Sequence, residues 1–210
     1  MKIEIAASSL REMRHIARGL DDAGKTIAVA QTRAINRVAA KTMTRARRAI
    51  TSQVRLSATY VRERMTLQSA TLAKPGATIS ARQRPTRLAT YGASQLTRAA
   101  SGGSGDTLRG IPAGRKQAGI SVGVKKGGGR KKMRGAFLMP LRAGNVGGGN
   151  GMGVFIRTGP ARRDIKHLYG PSVDQLFNGV AEALVPTIET ELEAALLRQI
   201  QHEVDKAMNR

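Results

Sequence analysis

The residues Gly19-Leu20-Asp21-Asp22-Ala23-Gly24-Lys25-Thr26 satisfy the phosphate-loop pattern G-x-x-x-x-G-K-[ST] letter for letter. Such a loop holds nucleotide phosphates on its backbone amides and must follow a buried strand. Here the preceding residues have helical spacing, and Asp21 and Asp22 would place two negative charges against the phosphates. No later apolar strand ends in an Asp that could help to hold magnesium. We interpret the segment as a turn between helices. A phosphate-loop ATPase is kept as the least favoured of the functional hypotheses.

Other catalytic arrangements have no support in the sequence. His15, His167 and His202 are isolated from one another, and none has carboxylates at metal-ligand spacing, so surface or packing roles are expected. No G-x-S-x-G elbow accompanies the serines, so the sequence offers no activated nucleophile. We therefore expect a protein that is not an enzyme, with no catalytic residues, no metal site and no cofactor.

The basic residues form a more informative pattern. Arg33, Arg37, Lys41 and Arg45 recur every four residues and Arg48 extends the row, so all five share one side of a helix. Like charges at this spacing weaken an isolated helix by roughly a few tenths of a kcal/mol per pair. Their alignment therefore favours an anionic counterpart, and the alternative is a solvated face, which is what charge runs usually are.

A second cationic cluster surrounds three consecutive glycines, Gly127 to Gly129, whose backbone can approach phosphates closely. Its five cations are Lys125, Lys126, Arg130, Lys131 and Lys132. Because aromatic residues make up only 3% of the chain, stacking platforms for single strands are lacking. Any DNA contact should therefore be made to phosphates, without reading the bases.

Helices must position the basic row. From Ile27 to Arg55 the sequence contains no Gly or Pro and is rich in Ala, which predicts one long helix. Its apolar stripe is Ile27, Ala34, Ile35, Val38, Ala39, Ala46 and Ile50. Residues from Leu10 to Leu20 fit a shorter amphipathic helix closed by a turn at Asp21–Gly24. Ser57 is predicted to cap a brief helix through Met65.

The middle of the chain has the composition of short strands and flexible segments. Four strands are predicted, at Ala77–Ala81, Ile120–Val124, Ala136–Met139 and Val154–Ile156. They are expected to form an antiparallel sheet, so the fold class is α+β with a long helix on either side of the sheet in sequence. Gly-rich insertion loops or assembly arms are predicted at Ala93–Ala118 and Ala143–Gly153.

A separate C-terminal segment, residues 171–210, follows a predicted basic α+β domain of residues 1–170. Ser172 and Gln175 match a capping box. The apolar positions that follow are Val173, Phe177, Val180, Leu184, Ile188, Leu192, Leu196, Ile200 and Val204. They form one helical face, interrupted by Pro186, at which a kink or break is expected. Leu184, Ile188, Leu192, Leu196 and Ile200 are predicted to pack on the same domain or on neighbouring subunits.

The charge balance points to partners. The chain has 36 Lys and Arg against 14 Asp and Glu, a net charge of +22. The C-terminal segment is acidic, so the positive charge is concentrated in residues 1–170 and self-repulsion there is large unless anionic groups lie nearby. Without Trp, and with few aromatics, the core is expected to be thin and to gain stability from neighbouring subunits.

The sequence also predicts a cellular compartment. The absence of Cys excludes disulfides and agrees with synthesis in a reducing cytoplasm. The first residues contain no apolar signal core, and no apolar run approaches the roughly 18 residues of a membrane span. We expect a soluble protein with no signal peptide and no membrane partner.

The order of these features resembles the minor tail protein Z family, the tail-completion proteins of long-tailed bacteriophages. The matching segments are Ala34–Ala39, Val61–Arg64, Gly135–Phe137 after a cationic stretch, and Leu168–Val173 before the last helix. The likeness extends over about residues 27 to 180. The long Gly-rich insertion near residues 93–118 departs from the family pattern.

The resemblance implies a virion protein near the head-proximal end of the tail, assembled in the host cytoplasm and acting in tail completion and head–tail joining. It implies other tail and connector proteins as partners, a homo-oligomeric ring for which tail symmetry favours six subunits, and DNA close by. The basic residues would then face either DNA or acidic protein surfaces. A cellular nucleic-acid-binding structural protein, ribosomal or nucleoid in type, is the alternative, although an acidic amphipathic C-terminal helix argues against it.

Overall fold

The computed structural model describes residues 2–6, 21–141 and 151–208 of the chain. It confirms the α+β class. The described residues contain three α-helices, α1 (Asp21–Gln53), α2 (Ala58–Arg62) and α3 (Val173–Met208). The strands are β1 (Lys2–Ala6), β2 (Met65–Gln68), β3 (Gly76–Ala81), β4 (Thr86–Arg87), β5 (Ser94–Ala99), β6 (Arg115–Val122), β7 (Lys131–Met133), β8 (Ala136–Pro140), β9 (Met152–Arg157), β10 (Ile165–His167) and β11 (Tyr169–Gly170).

Helix α1 confirms the long helix predicted from its alanine content. It ends two residues earlier than predicted because the Arg55 amide donates to the Val124 carbonyl at 2.9 Å instead of continuing the helix. The predicted turn at Asp21–Gly24 was wrong, since these residues form the first turn of α1. Acidic residues are favourable at a helix N-terminus because of the helix dipole. The shorter helix predicted from Leu10 to Leu20 lies outside the described residues.

Helix α2 begins as the sequence predicted. Ser57 precedes it, and its hydroxyl oxygen accepts a hydrogen bond of 3.1 Å from the Tyr60 amide, which is an N-cap contact. The helix ends at Arg62, earlier than predicted, because Met65 already belongs to β2. Tyr60 and Val61 are buried, so this short helix is held by its apolar side.

The strands pair antiparallel, as predicted, but the four predicted strands do not form one sheet, because the described part of the chain distributes its strands over four small sheets. Three of these have three strands, in the orders β1-β3-β2, β10-β9-β8 and β5-β6-β7, and β11 pairs with β4. The strands predicted from sequence lie within β3, β6, β8 and β9. In the first sheet Ile3 lies opposite Ile79, and both side chains are buried.

The predicted flexible stretch Ala93–Ala118 was wrong over much of its length. It contains β5, a 3₁₀ turn at Thr107–Arg109 and the start of β6, and β5 and β6 pair as a hairpin. Its glycines at positions 102, 105, 110 and 114 have positive φ, which shapes the connecting loop instead of leaving it without structure. Of the second predicted stretch, residues 143–150 lie outside the described residues, and Met152 and Gly153 belong to β9.

Helix α3 starts one residue after Ser172, as predicted, and continues through Pro186. The break expected there is not observed. Pro186 is exposed, so the carbonyl that loses its amide donor can be hydrated. The Pro186 carbonyl itself accepts a hydrogen bond of 3.1 Å from the Thr190 hydroxyl. A proline on the solvent side therefore leaves this helix continuous.

The chain divides into two compact units. The first comprises the described parts of Met1–Ala49, Arg62–Arg82 and Asp174–Arg210, and the second comprises Ile50–Val61 and Gln83–Val173. In the first unit the Asn36 side chain on α1 forms two hydrogen bonds with the backbone of Ala70, donating at 3.0 Å and accepting at 2.7 Å. This reciprocal pair fixes α1 against the loop that follows β2.

In the second unit a buried tyrosine fastens the segment that leads into α3. The Tyr91 hydroxyl donates to the Pro171 carbonyl at 2.7 Å, and burial raises the pKa of Tyr91 to about 12, so it stays a donor. Its ring lies so close to Gly170 that a Cβ there would come within 2.6 Å of Tyr91 Cε2. The Gly-Pro pair before α3 therefore has a packing role.

Candidate partner-binding surfaces

The basic row lies on the outward side of α1. Arg33, Arg37, Lys41 and Arg48 are exposed, and Arg45 is partly exposed. The same helix buries an apolar side that includes the predicted stripe residues Ala34, Ile35, Val38, Ala39, Ala46 and Ile50. Since the buried residues hold the helix in one orientation, the cations of the row are presented on its other side.

Two cations of the row are paired with acids of α3. Arg45 Nη2 donates to Glu191 Oε1 at 2.6 Å, and Arg33 Nη1 donates to Glu203 Oε1. The two arginines and the two glutamates are spaced equally along their helices but in opposite order, so α1 and α3 run antiparallel. The acidic C-terminal helix therefore supplies an anionic counterpart for part of the row within the chain.

The ion pair at Arg45 affects the titration of its partner. The hydrogen bond from Arg45 holds the pKa of Glu191 below its ordinary value, and partial burial opposes this shift. The charges of Arg45, Lys41 and Arg198 lower the pKa of Glu191 further. Glu191 thus remains a carboxylate near neutral pH. Its negative charge offsets part of the positive charge of the basic row.

The remaining part of the row is the better candidate for an external partner. Within the described residues, Arg37 and Lys41 are exposed and form no ion pair with a carboxylate. A shallow groove on α1 includes Lys41 but not Arg37. It is lined by Ala40, Lys41, Thr44, Arg45 and Arg48. Such a groove with a cationic rim suits a phosphate or carboxylate.

The second cationic cluster is attached to the end of α1. Lys125 pairs with Val54 in an isolated bridge, and the Lys126 amide donates to the Gln53 carbonyl at 2.8 Å. The side chains of both lysines are exposed. Lys131 and Lys132 lie on β7 opposite Val122 and Ser121. Because successive residues of a strand point to opposite faces, these two lysines do not share a face.

Arg130 has a structural role that its place in the cluster did not reveal. Its guanidinium donates to the Ser121 hydroxyl at 3.0 Å and to the Ser121 carbonyl at 2.7 Å. It also donates to the Gly92 carbonyl at 2.7 Å and to the Ser94 hydroxyl at 3.1 Å. Arg130 thus ties the start of β5 to β6 although it is exposed, and the four exposed lysines remain as the candidate partner contacts of this cluster.

The predicted packing face of α3 is largely covered by the chain itself. Ile188, Leu192 and Leu196 are buried, and Leu184 and Ile200 are partly buried. These residues therefore contribute to the core of the first unit. Whether the same face also meets other subunits remains a prediction.

His167 lies in an aromatic stack in the second unit. Its ring is 4.5 Å from that of Phe155 and 4.5 Å from that of Tyr169, measured between centroids. Burial, with a smaller contribution from the charge of Arg87, lowers the pKa of His167. His202 is exposed, and His15 lies outside the described residues. Among the residues that the structure describes, no group of three or more potential metal ligands occurs.

The phosphate-loop pattern does not adopt a loop where it is described. From Asp21 to Thr26 the backbone is helical, whereas the motif needs an open loop around the phosphates. Gly19 and Leu20 lie outside the described residues. None of the helices in the described ranges has an apolar stretch that could span a membrane.

Comparison with known proteins identifies a family. The model of a family described as prophage minor tail protein Z matches residues 13–210. The match includes the basic row, the hairpin of β5 and β6, the lysine cluster and α3. No curated protein and no solved structure matches the chain.

Proposed function

We propose that this chain, which belongs to the prophage minor tail protein Z family, completes the tail at its head-proximal end and joins tails to heads. Membership of the family makes it a structural protein of a phage tail. Its partners are then other structural proteins of the phage, and its place is the virion. In this proposal it acts by assembly and not by catalysis.

The proposed working form is a homo-oligomeric ring, for which six copies would fit the symmetry of a tail. A ring at the end of a tail would surround the path that DNA takes on leaving the head. The net charge of +22 supports this placement, because copies of so basic a chain repel one another unless anionic groups lie between or beside them.

The observation that carries the DNA part of the proposal is the exposed pair Arg37 and Lys41. They continue a row in which α3 neutralises Arg33 and Arg45, and no carboxylate among the described residues pairs with them. With the four exposed lysines of the second cluster, they offer phosphate contacts without base recognition. Acidic surfaces of neighbouring tail proteins are the other partner for these cations.

The role in joining can be tested in a prophage that encodes this chain. Deleting its gene should yield filled heads and separate tails in the lysate, seen by electron microscopy, and supplying the protein from a plasmid should restore joined particles. Labelling with an antibody should mark the head-proximal end of the tail. Normal yields of joined particles from the deletion strain would contradict the proposal.

The ring can be tested separately with purified protein. Size-exclusion chromatography with light scattering at several salt concentrations should show an oligomer, and electron microscopy should show rings. A monomer at every concentration and salt would exclude the ring and leave the joining experiment to decide the rest.

A further inference from the structure

The hairpin of β5 and β6 carries two cations directly opposite each other. Arg98 on β5 is in register with Lys116 on β6, and both are exposed. Residues opposite one another in an antiparallel pair share a face, and like charges there are destabilising. Neither side chain forms an ion pair within the described part of the chain. The arrangement suits an anionic surface supplied from outside.

The loop of this hairpin has a defined shape. Asp106 and Ile111 exchange backbone hydrogen bonds of 2.6 and 2.8 Å, and Arg109 Nε donates to Asp106 Oδ2 at 2.6 Å. Between these residues Leu108 is 67% exposed. A large exposed apolar side chain gains nothing from a phosphate backbone but is stabilised by contact with protein. The hairpin therefore combines cations with an apolar group, which favours a protein partner over DNA.

A complementary stripe lies on the exposed side of α3. Glu182, Glu189 and Glu193 recur with helical spacing, and Leu197 extends the stripe and is 64% exposed. These acids differ from Glu191 and Glu203, which pair with α1. The three glutamates of the stripe form no ion pair with any residue that the structure describes. An acidic and apolar stripe cannot face DNA, so its partner should be a basic protein surface.

We propose that the β5–β6 hairpin of one copy docks on the exposed stripe of α3 in the neighbouring copy, with Arg98 and Lys116 against Glu189 and Glu193. This inference rests on the proposed ring, in which the nearest basic protein surface is a second copy of the same chain. The two surfaces are different parts of the molecule. A contact between unlike surfaces is heterologous, and it closes into a ring when the rotation from one copy to the next is a whole fraction of a full turn about one axis.

A charge exchange between two variants tests the contact. The hairpin variant is Arg98→Glu with Lys116→Glu, and the helix variant is Glu189→Lys with Glu193→Lys. Each alone places like charges at every interface, so assembly should require about tenfold more protein than the wild type does. An equimolar mixture should assemble like wild type when the two variants alternate. The negative hairpin of one variant then meets the positive helix of the other, and every second contact is the wild-type one.

Two controls separate this effect from a change in net charge. The chain with all four substitutions has the wild-type net charge of +22 and should assemble alone. Arg162→Glu with Arg163→Glu changes the charge as the hairpin variant does, at two exposed positions away from the hairpin, and should assemble normally. For the apolar part, Leu197→Ser should weaken assembly, whereas Leu72→Ser, at a residue 62% exposed in the loop after β2, should not. Circular dichroism checks that each variant folds.

The outcomes distinguish this inference from the proposed ring. If the wild type assembles and the hairpin variant does so equally well, the docking is wrong and the ring stands. If each variant fails alone and the mixture also fails, the two surfaces do not meet each other, and the inference is again overturned. If the wild type stays monomeric in every condition, both the ring and the docking fail.

Discussion

Arg45 on α1 donates a hydrogen bond of 2.6 Å to Glu191 on α3, joining two residues that lie far apart in the sequence. Arg33 and Glu203 repeat this relationship further along the same two helices. Two acids of the C-terminal segment thus pair with two cations of the row within the chain, and Arg37 and Lys41 are the cations of the row that we assign to partners.

The pair predicts a pH dependence of stability. Because the pKa of Glu191 is lowered in the folded state, the unfolded state binds the proton more readily. The contribution of the pair is therefore present above the ordinary pKa of 4.5 and is lost as the pH falls through the lowered value. Urea unfolding at pH 7 and pH 3 should show a smaller loss of stability for Glu191→Gln than for wild type.

Glu189→Gln is the matched control when unfolding is measured on the monomer, since Glu189 is exposed two residues earlier on the same helix and forms no ion pair within the described residues. It should lose as much stability as wild type between the two pH values. Equal losses for all three proteins would mean that the Arg45–Glu191 pair does not stabilise the fold.

Arg37 and Lys41, which form no ion pair within the described part of the chain, predict an effect on DNA binding. Arg37→Gln with Lys41→Gln should weaken non-specific duplex binding, and the slope of log affinity against log salt should shrink by roughly 0.9 for each phosphate that the variant no longer neutralises. Arg33→Gln with Arg45→Gln removes the same charge where α3 already balances it, and should have a smaller effect. Glutamine retains helix propensity, so helicity should be similar in both variants.

If the row instead faces acidic protein, DNA affinity should change little in the Arg37 and Lys41 variant, while head–tail joining becomes slower and more sensitive to salt. Unchanged DNA binding together with normal yields of infectious particles would mean that these residues form a solvated face without a partner.

Arg130 should behave as a structural residue and not as a partner contact. Arg130→Ala removes the donor to the hydroxyl of the buried Ser121 and one of the donors to its carbonyl, which should lower the free energy of unfolding by about 1–2 kcal/mol. Lys125→Ala with Lys126→Ala, two exposed cations of the same cluster, should leave thermal unfolding unchanged. A stable Arg130→Ala protein with reduced DNA binding would reverse this assignment.

The apolar face of α3 should be required for folding. Leu192→Asp with Leu196→Asp places charge at positions 8% and 5% exposed, and should cost several kcal/mol, on the order of 3 or more. Leu197→Asp, next to this face but exposed, should leave unfolding of the monomer unchanged. Normal folding of the double variant, measured by circular dichroism and urea unfolding, would show that this face is not buried.

The phosphate-loop pattern predicts no nucleotide chemistry here. Since the backbone is helical from Asp21 to Thr26, purified protein should neither bind nor hydrolyse ATP, and Lys25→Ala should assemble normally. Magnesium-dependent ATP hydrolysis that disappears in Lys25→Ala would require a different view of this segment.

Local patterns predicted part of this fold. The Ala-rich segment without Gly or Pro predicted most of α1, and Ser57 predicted the start of α2. Both predictions succeeded because helix formation and N-capping depend on residues close in the sequence. The strand Ser94–Ala99 was missed since it is polar and is stabilised by pairing with β6. The bonds of Arg130 to Gly92 and Ser121 depend on the same distant pairing, which no local pattern contains.

The sequence also predicted only part of the candidate partner-binding surface on α1. Periodicity placed the basic row on one side of α1, but it gave no indication that α3 would neutralise two of its members. A signal was present, because Arg33 and Arg45 have the same spacing as Glu191 and Glu203. This equal spacing predicts the two ion pairs only if the two helices are already assumed to lie antiparallel.

The pairing of α1 with α3 has a consequence for synthesis on the ribosome. Domains form as their residues emerge, N-terminal parts first. The second unit ends at Val173, where α3 begins, so it leaves the ribosome while the first unit still lacks its acidic helix. A chain that stops before α3 therefore leaves Arg33 and Arg45 without their carboxylate partners, and such a truncated copy should be more basic and less stable than the complete protein.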